Sequence, residues 1–307
     1  MKKVFLGALA LTFGAVGFAQ NISDVNQTGA TNWADVNQVL SHTGATQDSY
    51  IKQDGKNNVA LVDQLSRGHD SDIYQLGKRN FADVTQKGYG GSESDIDSRG
   101  NDNGAVVYQD GHEEKSEIDQ RGNNNYADVK QTNRMHDSKI TQVGHRNVAD
   151  VDQDGGYPYN GVNLSDINQR GNDNWAKVDQ KKNRNDSDVD QLGNDNGSNV
   201  MQDGSKNEST VYQKGKRNWS DVSQTGPAAS SSDTDHNVSS VRQYGNDNGS
   251  MVLQNGFEHM STVFQKGNSN WSNVSQTGNN HMSTVSQIGN GNGANVIQTG
   301  SYQVNPI

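Results

Sequence analysis

Histidine and aspartate are the side chains in this sequence best suited to bind a metal or transfer a proton. Two of the eight histidines, His259 and His281, stand 22 residues apart. A zinc site needs three or four ligands, and no third ligand accompanies this pair at a suitable spacing. Aspartate at alternating positions is typical of a solvated strand face, and no H-E-x-x-H, G-x-S-x-G or phosphate-binding loop motif is present. We therefore predict no enzyme activity, no metal site and no cofactor.

Side-chain amides are the other hydrogen-bonding groups that recur, and they do so with a fixed period. Glutamine stands every 11 residues in successive pairs, with Ser98 replacing it once, and the pairs define twelve repeats of 22 residues. An amide both donates and accepts hydrogen bonds, so identical amides stacked one above another can form a ladder. The predicted ladder residues singled out from the first three and last two repeats are Gln27, Asn32, Gln38, Gln53, Asn58, Gln64, Gln75, Asn80, Gln86, Gln265, Asn270, Gln276, Gln287, Asn292 and Gln298.

The elements that must position these amides are strands and tight turns. Within each half-repeat a small residue, Val or Ile, and Gln fall at i, i+2 and i+4, so they share one face of a strand, which we predict to be the inside. The halves are joined by x-G-x-x-N, in which glycine permits positive φ. The turn glycines singled out are Gly29, Gly55, Gly77, Gly267 and Gly289. The pattern predicts an all-β protein, an amyloid-type β-solenoid of twelve 22-residue strand-turn-strand repeats.

Composition and local signals divide the chain into three segments. Residues 1–20 resemble a secretory signal peptide, with Lys2 and Lys3 before an apolar run. Residues 21–298 are predicted to form one solenoid, with insertions near 39–48, 154–164 and 225–238, and residues 299–307 a C-terminal tail. No second apolar run is long enough for a membrane helix. Hydrophobic residues make up only 29% of the chain, which argues against a conventional globular core.

Charge argues against nucleic acid as a partner. The formal net charge is −10, and removal of the two lysines of residues 1–20 would make it −12. Phosphate binding needs a basic surface. Acidic residues are concentrated before residue 238, on outward positions where stacked carboxylates repel one another and oppose assembly.

The repeat resembles that of a known family. The pattern Q-x-G-x-x-N-x-[AS]-x3-Q, for example Gln27, Gly29, Asn32, Ala34 and Gln38, is similar to the curlin repeat of curli, the extracellular amyloid fibres of bacterial biofilms. The family's leading Ser is here usually His, Asn or Glu. The resemblance implies a secreted subunit on the bacterial cell surface that polymerises with itself, with a nucleator subunit and an outer-membrane secretion apparatus as partners.

A second period involves the residue after the turn Asn. It is Val or Gly in every even repeat and aromatic in every odd one: Trp33, Phe81, Tyr126, Trp175, Trp219 and Trp271. One interpretation is that crowding at the ~4.8 Å strand spacing forbids an aromatic ring on every coil, and that an even number of repeats continues the alternation through a joint between subunits. Duplication of a 44-residue unit is the alternative. Regular tryptophans could also bind sugars or dyes, although lateral packing is favoured.

The sequence thus predicts a structural subunit of curli-like amyloid fibres that assembles head to tail for cell adhesion and biofilm matrix. The alternatives are a monomeric β-solenoid binding module, such as an adhesin or an ice-binding protein, and a minor fibre nucleator. Open edges at both ends favour polymerisation, because a solenoid that stays monomeric needs caps.

Overall fold

The computed structural model describes residues 21–40, 46–155, 161–226 and 236–306, with side chains through residue 300. The predicted signal peptide, residues 1–20, and parts of the three insertions lie outside these ranges. Within them the structure consists of β-strands and turns without a helix. The strands are β1 (Ile22–Ala30), β2 (Trp33–Leu40), β3 (Asp48–Lys56), β4 (Val59–Ser66), β5 (Asp70–Lys78), β6 (Phe81–Gly90), β7 (Glu93–Asn101), β8 (Gly104–His112), β9 (Lys115–Asn123), β10 (Tyr126–Arg134), β11 (Asp137–His145), β12 (Val148–Asp154), β13 (Leu164–Asn172), β14 (Trp175–Lys181), β15 (Asp186–Asn194), β16 (Gly197–Asp203), β17 (Glu208–Lys216), β18 (Trp219–Thr225), β19 (Val238–Asn246), β20 (Gly249–Phe257), β21 (Met260–Lys266), β22 (Trp271–Ile288) and β23 (Gly293–Pro306).

The strands stack in parallel with the register of the repeat. Strand β1 pairs with β3 and β2 with β4, so that Gln53 lies over Gln27 and Gln64 over Gln38. The same skip-one pairing continues along the chain, which gives one coil of two strands per repeat. This confirms the predicted all-β solenoid. The last strands run together because β22 continues through the turn between repeats 11 and 12.

The core is a narrow double column between the two strands of each coil. Ile140 and Val151, from the two strands of one coil, are fully buried, and their equivalents form one continuous cluster along the stack. Ala or Ser stands beside them and Gln closes each strand, all buried in the middle coils. Small side chains are required because two strands of one coil face each other directly. The inward face predicted from the i, i+2, i+4 pattern is confirmed.

The turn between the halves of each repeat uses two residues with positive φ. The predicted turn glycines adopt it, for example Gly144 at φ +128°. The residue immediately before the turn Asn is also left-handed in every repeat, although in most it is not glycine: Arg146 at +54° and Asp173 at +57° are examples. The second left-handed residue was not predicted. Its side chain points to solvent, where Arg146 pairs with Asp173 of the next coil at 2.6 Å.

The tail extends the last coil. Strand β23 continues beyond Gln298, and Gln303–Pro306 pair with His281–Thr284 of β22. A proline is compatible with this position because β23 is an edge strand and needs no donor on its open side.

The inward serines of the first strand in each repeat provide a test of the packing. Ser138 is fully buried, and its Oγ has no hydrogen-bond partner among the described residues. A buried unpaired hydroxyl destabilises a fold by about 1 kcal/mol or more, so Ser138→Ala should raise the free energy of unfolding by about 1 kcal/mol in urea denaturation. Ser272, whose Oγ donates to Ser250 at 3.3 Å, is the control: Ser272→Ala should not stabilise the chain. Equal effects of the two substitutions would contradict the conclusion that the hydroxyl of Ser138 is unpaired.

Candidate functional site

The glutamines form two ladders that run the length of the stack. On the second strand of each coil, every Gln donates from Nε2 to Oε1 of the Gln in the next coil, from Gln38 to Gln64 at 2.8 Å through Gln276 to Gln298 at 2.9 Å. The second hydrogen of the amide goes across the coil, as from Gln64 to the carbonyl of Asp48 at 2.9 Å. Both donor hydrogens are therefore used only when the coils are in register.

The ladder on the first strand follows the same geometry with one substitution. Gln27 donates to Gln53 at 2.7 Å, Gln53 to Gln75 at 2.8 Å and Gln265 to Gln287 at 2.8 Å. Where Ser98 replaces Gln, its hydroxyl donates to Oε1 of Gln120 at 3.0 Å. The predicted residues Gln86 and Gln276 of the other ladder lie in the same relation to their neighbours.

The turn asparagines form a third ladder with the opposite polarity. The backbone N–H of each turn Asn donates to Oδ1 of the Asn in the preceding coil, from Asn58 to Asn32 at 3.1 Å through Asn292 to Asn270 at 3.1 Å. Its Nδ2 reaches the carbonyl of the turn Gly in the next coil, as from Asn80 to Gly100 at 3.0 Å. Gln side chains thus donate toward the C-terminal end, and Asn backbone groups donate toward the N-terminal end.

The two ends of the stack are complementary because of these opposite polarities. At the N-terminal end, Gln27 and Gln38 present the Oε1 atoms that in the later coils accept from the coil before, except where Ser98 replaces Gln. At the C-terminal end, Asn292 presents the Oδ1 that in earlier coils accepts from the coil after. Core residues of the first coil are open to solvent: Val25 is 43% exposed, whereas the equivalent Ile51 of the second coil is buried.

The turn between repeats contains a column of buried polar residues that the sequence had indicated only as a departure from the family pattern. Its members lie one per coil: Gln47, His69, Ser92, Glu114, His136, Asn163, Asn185, Asn207, Asn237, His259 and His281. The asparagines of this column form a second Asn ladder, as from the N–H of Asn207 to Oδ1 of Asn185 at 3.1 Å. The column specifies register at this corner as the turn asparagines do at the other.

Glu114 is the exception in this column. It is fully buried, and neither carboxyl oxygen has a hydrogen-bond partner among the described residues. Burial, with a further contribution from the charge of Asp110, raises the pKa of Glu114 to about 8. Glu114 is therefore protonated at neutral pH in the folded chain.

The histidines of the column are buried and hydrogen-bonded. His259 and His281 stack with ring centroids 5.1 Å apart and planes 4° from parallel. Their Nε2 atoms bond the carbonyls of Asn255 and Thr277 at 3.2 and 3.0 Å. Burial lowers the pKa of His69, His136 and His259. These contacts give the histidines a structural role, and no group of three or more ligand-type residues in the described part of the chain could hold a metal ion.

Carboxylates on the outward faces lie close together between coils. Asp95 pairs in register with Asp72, and Asp128 with Asp150. Partial burial, and then the neighbouring carboxylates, raise the pKa of Asp72, Asp95 and Asp128. A group whose pKa is raised on folding binds protons more tightly in the folded state, so protonation of these three carboxylates favours the folded stack.

The alternating aromatics all lie outside the core, on the sheet formed by the second strands. Trp33 is 62% exposed and Trp219 39%. Trp175, Gly197 and Trp219 occupy the same register position on three successive coils. The predicted alternation is therefore a physical row of side chains along the stack.

No helix in the described ranges is long and apolar enough to cross a membrane. No curated protein matches the chain. The family model of the curlin associated repeat matches residues 100–132, 193–226 and 262–289, each of which contains the x-G-x-x-N turn with its flanking strands. These matches at three places in a stack of uniform 22-residue coils show that the chain carries curlin associated repeats.

Proposed function

We propose that this chain is a structural, non-enzymatic subunit that is secreted and polymerises head to tail into extracellular curli-type amyloid fibres, which serve adhesion and biofilm matrix. The observation that supports it most is the opposite polarity of the Gln and Asn ladders. The last coil holds Gln287 and Gln298 at the positions from which the glutamines of earlier coils donate a hydrogen bond to the next coil. The first coil holds Gln27 and Gln38 at the positions where the glutamines of later coils accept that bond. A second copy therefore continues all the ladders only when its first coil follows the last coil of the first copy.

The proposed joint also continues the outward alternation. Gly293 of one copy would lie beside Trp33 of the next, as Gly249 lies beside Trp271 within the chain. On the other sheet, the first strand of the incoming copy must displace the pairing of Gln303–Pro306 with His281–Thr284. We propose that the tail is an exchangeable cover of that edge.

A lysine in the first coil tests the joint. In the monomer the charge of Val25→Lys can reach water through the open end, but in the joint it would be buried between two coils, where an unpaired charge is strongly unfavourable. We expect this variant to fold and to remain monomeric, without thioflavin fluorescence or sedimenting material. Tyr89→Lys, at a 74% exposed position on the side of the stack, should form fibres at the wild-type rate. Growth of Val25→Lys at the wild-type rate would refute the joint, and a wild-type chain that stays monomeric would favour a binding module.

A further inference from the structure

The aromatic row of the C-terminal half has a geometry that fibre formation does not require. Trp175, Trp219 and Trp271 stand on alternate coils with Gly197 and Gly249 between them. The indoles therefore recur about every 10 Å, twice the strand spacing. They are 39–49% exposed and are called the tryptophan strip below.

The orientation of the rings follows from their contacts with the glycines. A Cβ built on Gly197 would lie 3.5 Å from Cδ1 of Trp219 and 3.8 Å from Cε3 of Trp175. At Gly249 it would lie 3.4 Å from Cδ1 of Trp271 and 4.0 Å from Cε3 of Trp219. Trp219 thus has opposite edges toward the preceding and the following coil, so its plane contains the stacking direction.

The same contacts argue against a second copy of the chain as the ligand of the tryptophan strip. The space between successive indoles is one carbon atom wide at its base, since one Cβ would contact both rings. An aromatic ring from a facing sheet has no opening to enter, so the strip cannot interdigitate as paired sheets of a steric zipper do. The occupant must instead be a thin, extended molecule that lies along the strip.

We propose that the tryptophan strip binds a neutral β-1,4-linked glycan chain that runs parallel to the stacking axis. In such a chain each sugar ring is flipped relative to the ring before it, so the same ring face recurs once per disaccharide. The length of this disaccharide is nearly the same as the spacing of the indoles. Sugar C–H groups pack against the negative faces of indoles. Amides and a carboxylate two residues along the same face supply polar partners: Asn199 bonds Asp221 at 2.9 Å and Asn273 bonds Asn295 at 3.1 Å. Asp221 and the net charge of −10 disfavour an anionic polysaccharide.

The test uses the full-length chain, amorphous cellulose and soluble cellohexaose, with dextran as the α-linked comparison. The variant Trp175→Ala/Trp219→Ala/Trp271→Ala should bind cellulose at least about tenfold more weakly than wild type. The matched control removes three contacting aromatics from the other sheet: Tyr212→Ala/Tyr244→Ala/Phe264→Ala, whose ring centroids lie 5.4 and 5.8 Å apart. That control should bind cellulose as the wild-type chain does, and neither the control nor the wild-type chain should bind dextran.

A second measurement does not depend on how the variants fold. Cellohexaose should shift the indole fluorescence of the wild-type chain, and dextran should not. The proposal would be overturned if cellohexaose left the fluorescence unchanged, or if both triple variants lost cellulose binding equally. It would also be overturned if the tryptophan variant changed the bundling of copies but bound cellulose normally. Fibre growth is scored separately by thioflavin, so failure of glycan binding leaves the proposed subunit function untouched.

Discussion

Alanine at Gly144 is expected to destabilise the chain by about 3 kcal/mol or more, because the turn needs both the backbone conformation and the space that glycine gives. Its φ of +128° is one that side chains rarely adopt. A Cβ would also be driven against the carbonyl oxygen of Gly171 in the next coil. That oxygen accepts the amide of Asn147 at 2.9 Å, so the change strains the turn and the Asn ladder together.

The control for this prediction is another glycine in the middle of the stack. Gly197 has no left-handed φ, and an added Cβ would be in ordinary contact with its neighbours. Gly197→Ala should therefore change the free energy of unfolding by well under 1 kcal/mol. Both variants can be compared by urea denaturation in the Val25→Lys background, where unfolding is not coupled to polymerisation. Equal destabilisation would contradict the proposed role of the turn glycine.

Replacement of Glu114 with glutamine should stabilise the chain by about 3 kcal/mol at pH 7. The pKa of Glu114 rises from 4.5 to about 8 on folding. Below pH 4.5 the carboxyl is neutral in both the folded and the unfolded state. Between pH 4.5 and about 8 it ionises only in the unfolded state, which stabilises the unfolded chain relative to the folded one. Glutamine does not ionise, and it is the residue found in the same column at Gln47.

The pH profile distinguishes this effect from a change in packing. The stabilisation by Glu114→Gln should be largest above pH 8 and should disappear below about pH 4.5. Glu113, the neighbouring residue, is exposed to solvent, so Glu113→Gln should leave the profile of the wild-type chain unchanged. A stabilisation by Glu114→Gln that does not vary with pH would show that the carboxyl is not the cause.

The solenoid could be predicted from the sequence because its period is repeated twelve times. Alternation places Val, Ile and Gln on one face, and glycine at a fixed offset places the turn. The left-handed residue before each turn Asn could not be predicted, since Arg146 and Asp173 have no common side-chain property that favours positive φ. It is imposed by the backbone path between Gly and Asn.

The polarity of the ladders and the burial of Glu114 also required the structure. An amide can donate in either direction, so the sequence identifies the rungs but not the direction of the bonds. Glu114 stands where other repeats have His or Asn, which indicated a shared position. Nothing in the sequence indicates that this carboxyl is buried, because an unpaired carboxylate is rarely buried.

The most direct test of the proposed joint is a cryo-electron microscopy reconstruction of fibres grown from residues 21–307. Head-to-tail assembly predicts one uninterrupted stack of coils at ~4.8 Å, with a subunit repeat of roughly 58 Å for twelve coils. The coil of Trp33 should follow the coil of Gly293, and the Gln and Asn ladders should pass through the joint. Subunits that meet side by side, or that leave the last coil of one copy unpaired with the first coil of the next, would contradict it.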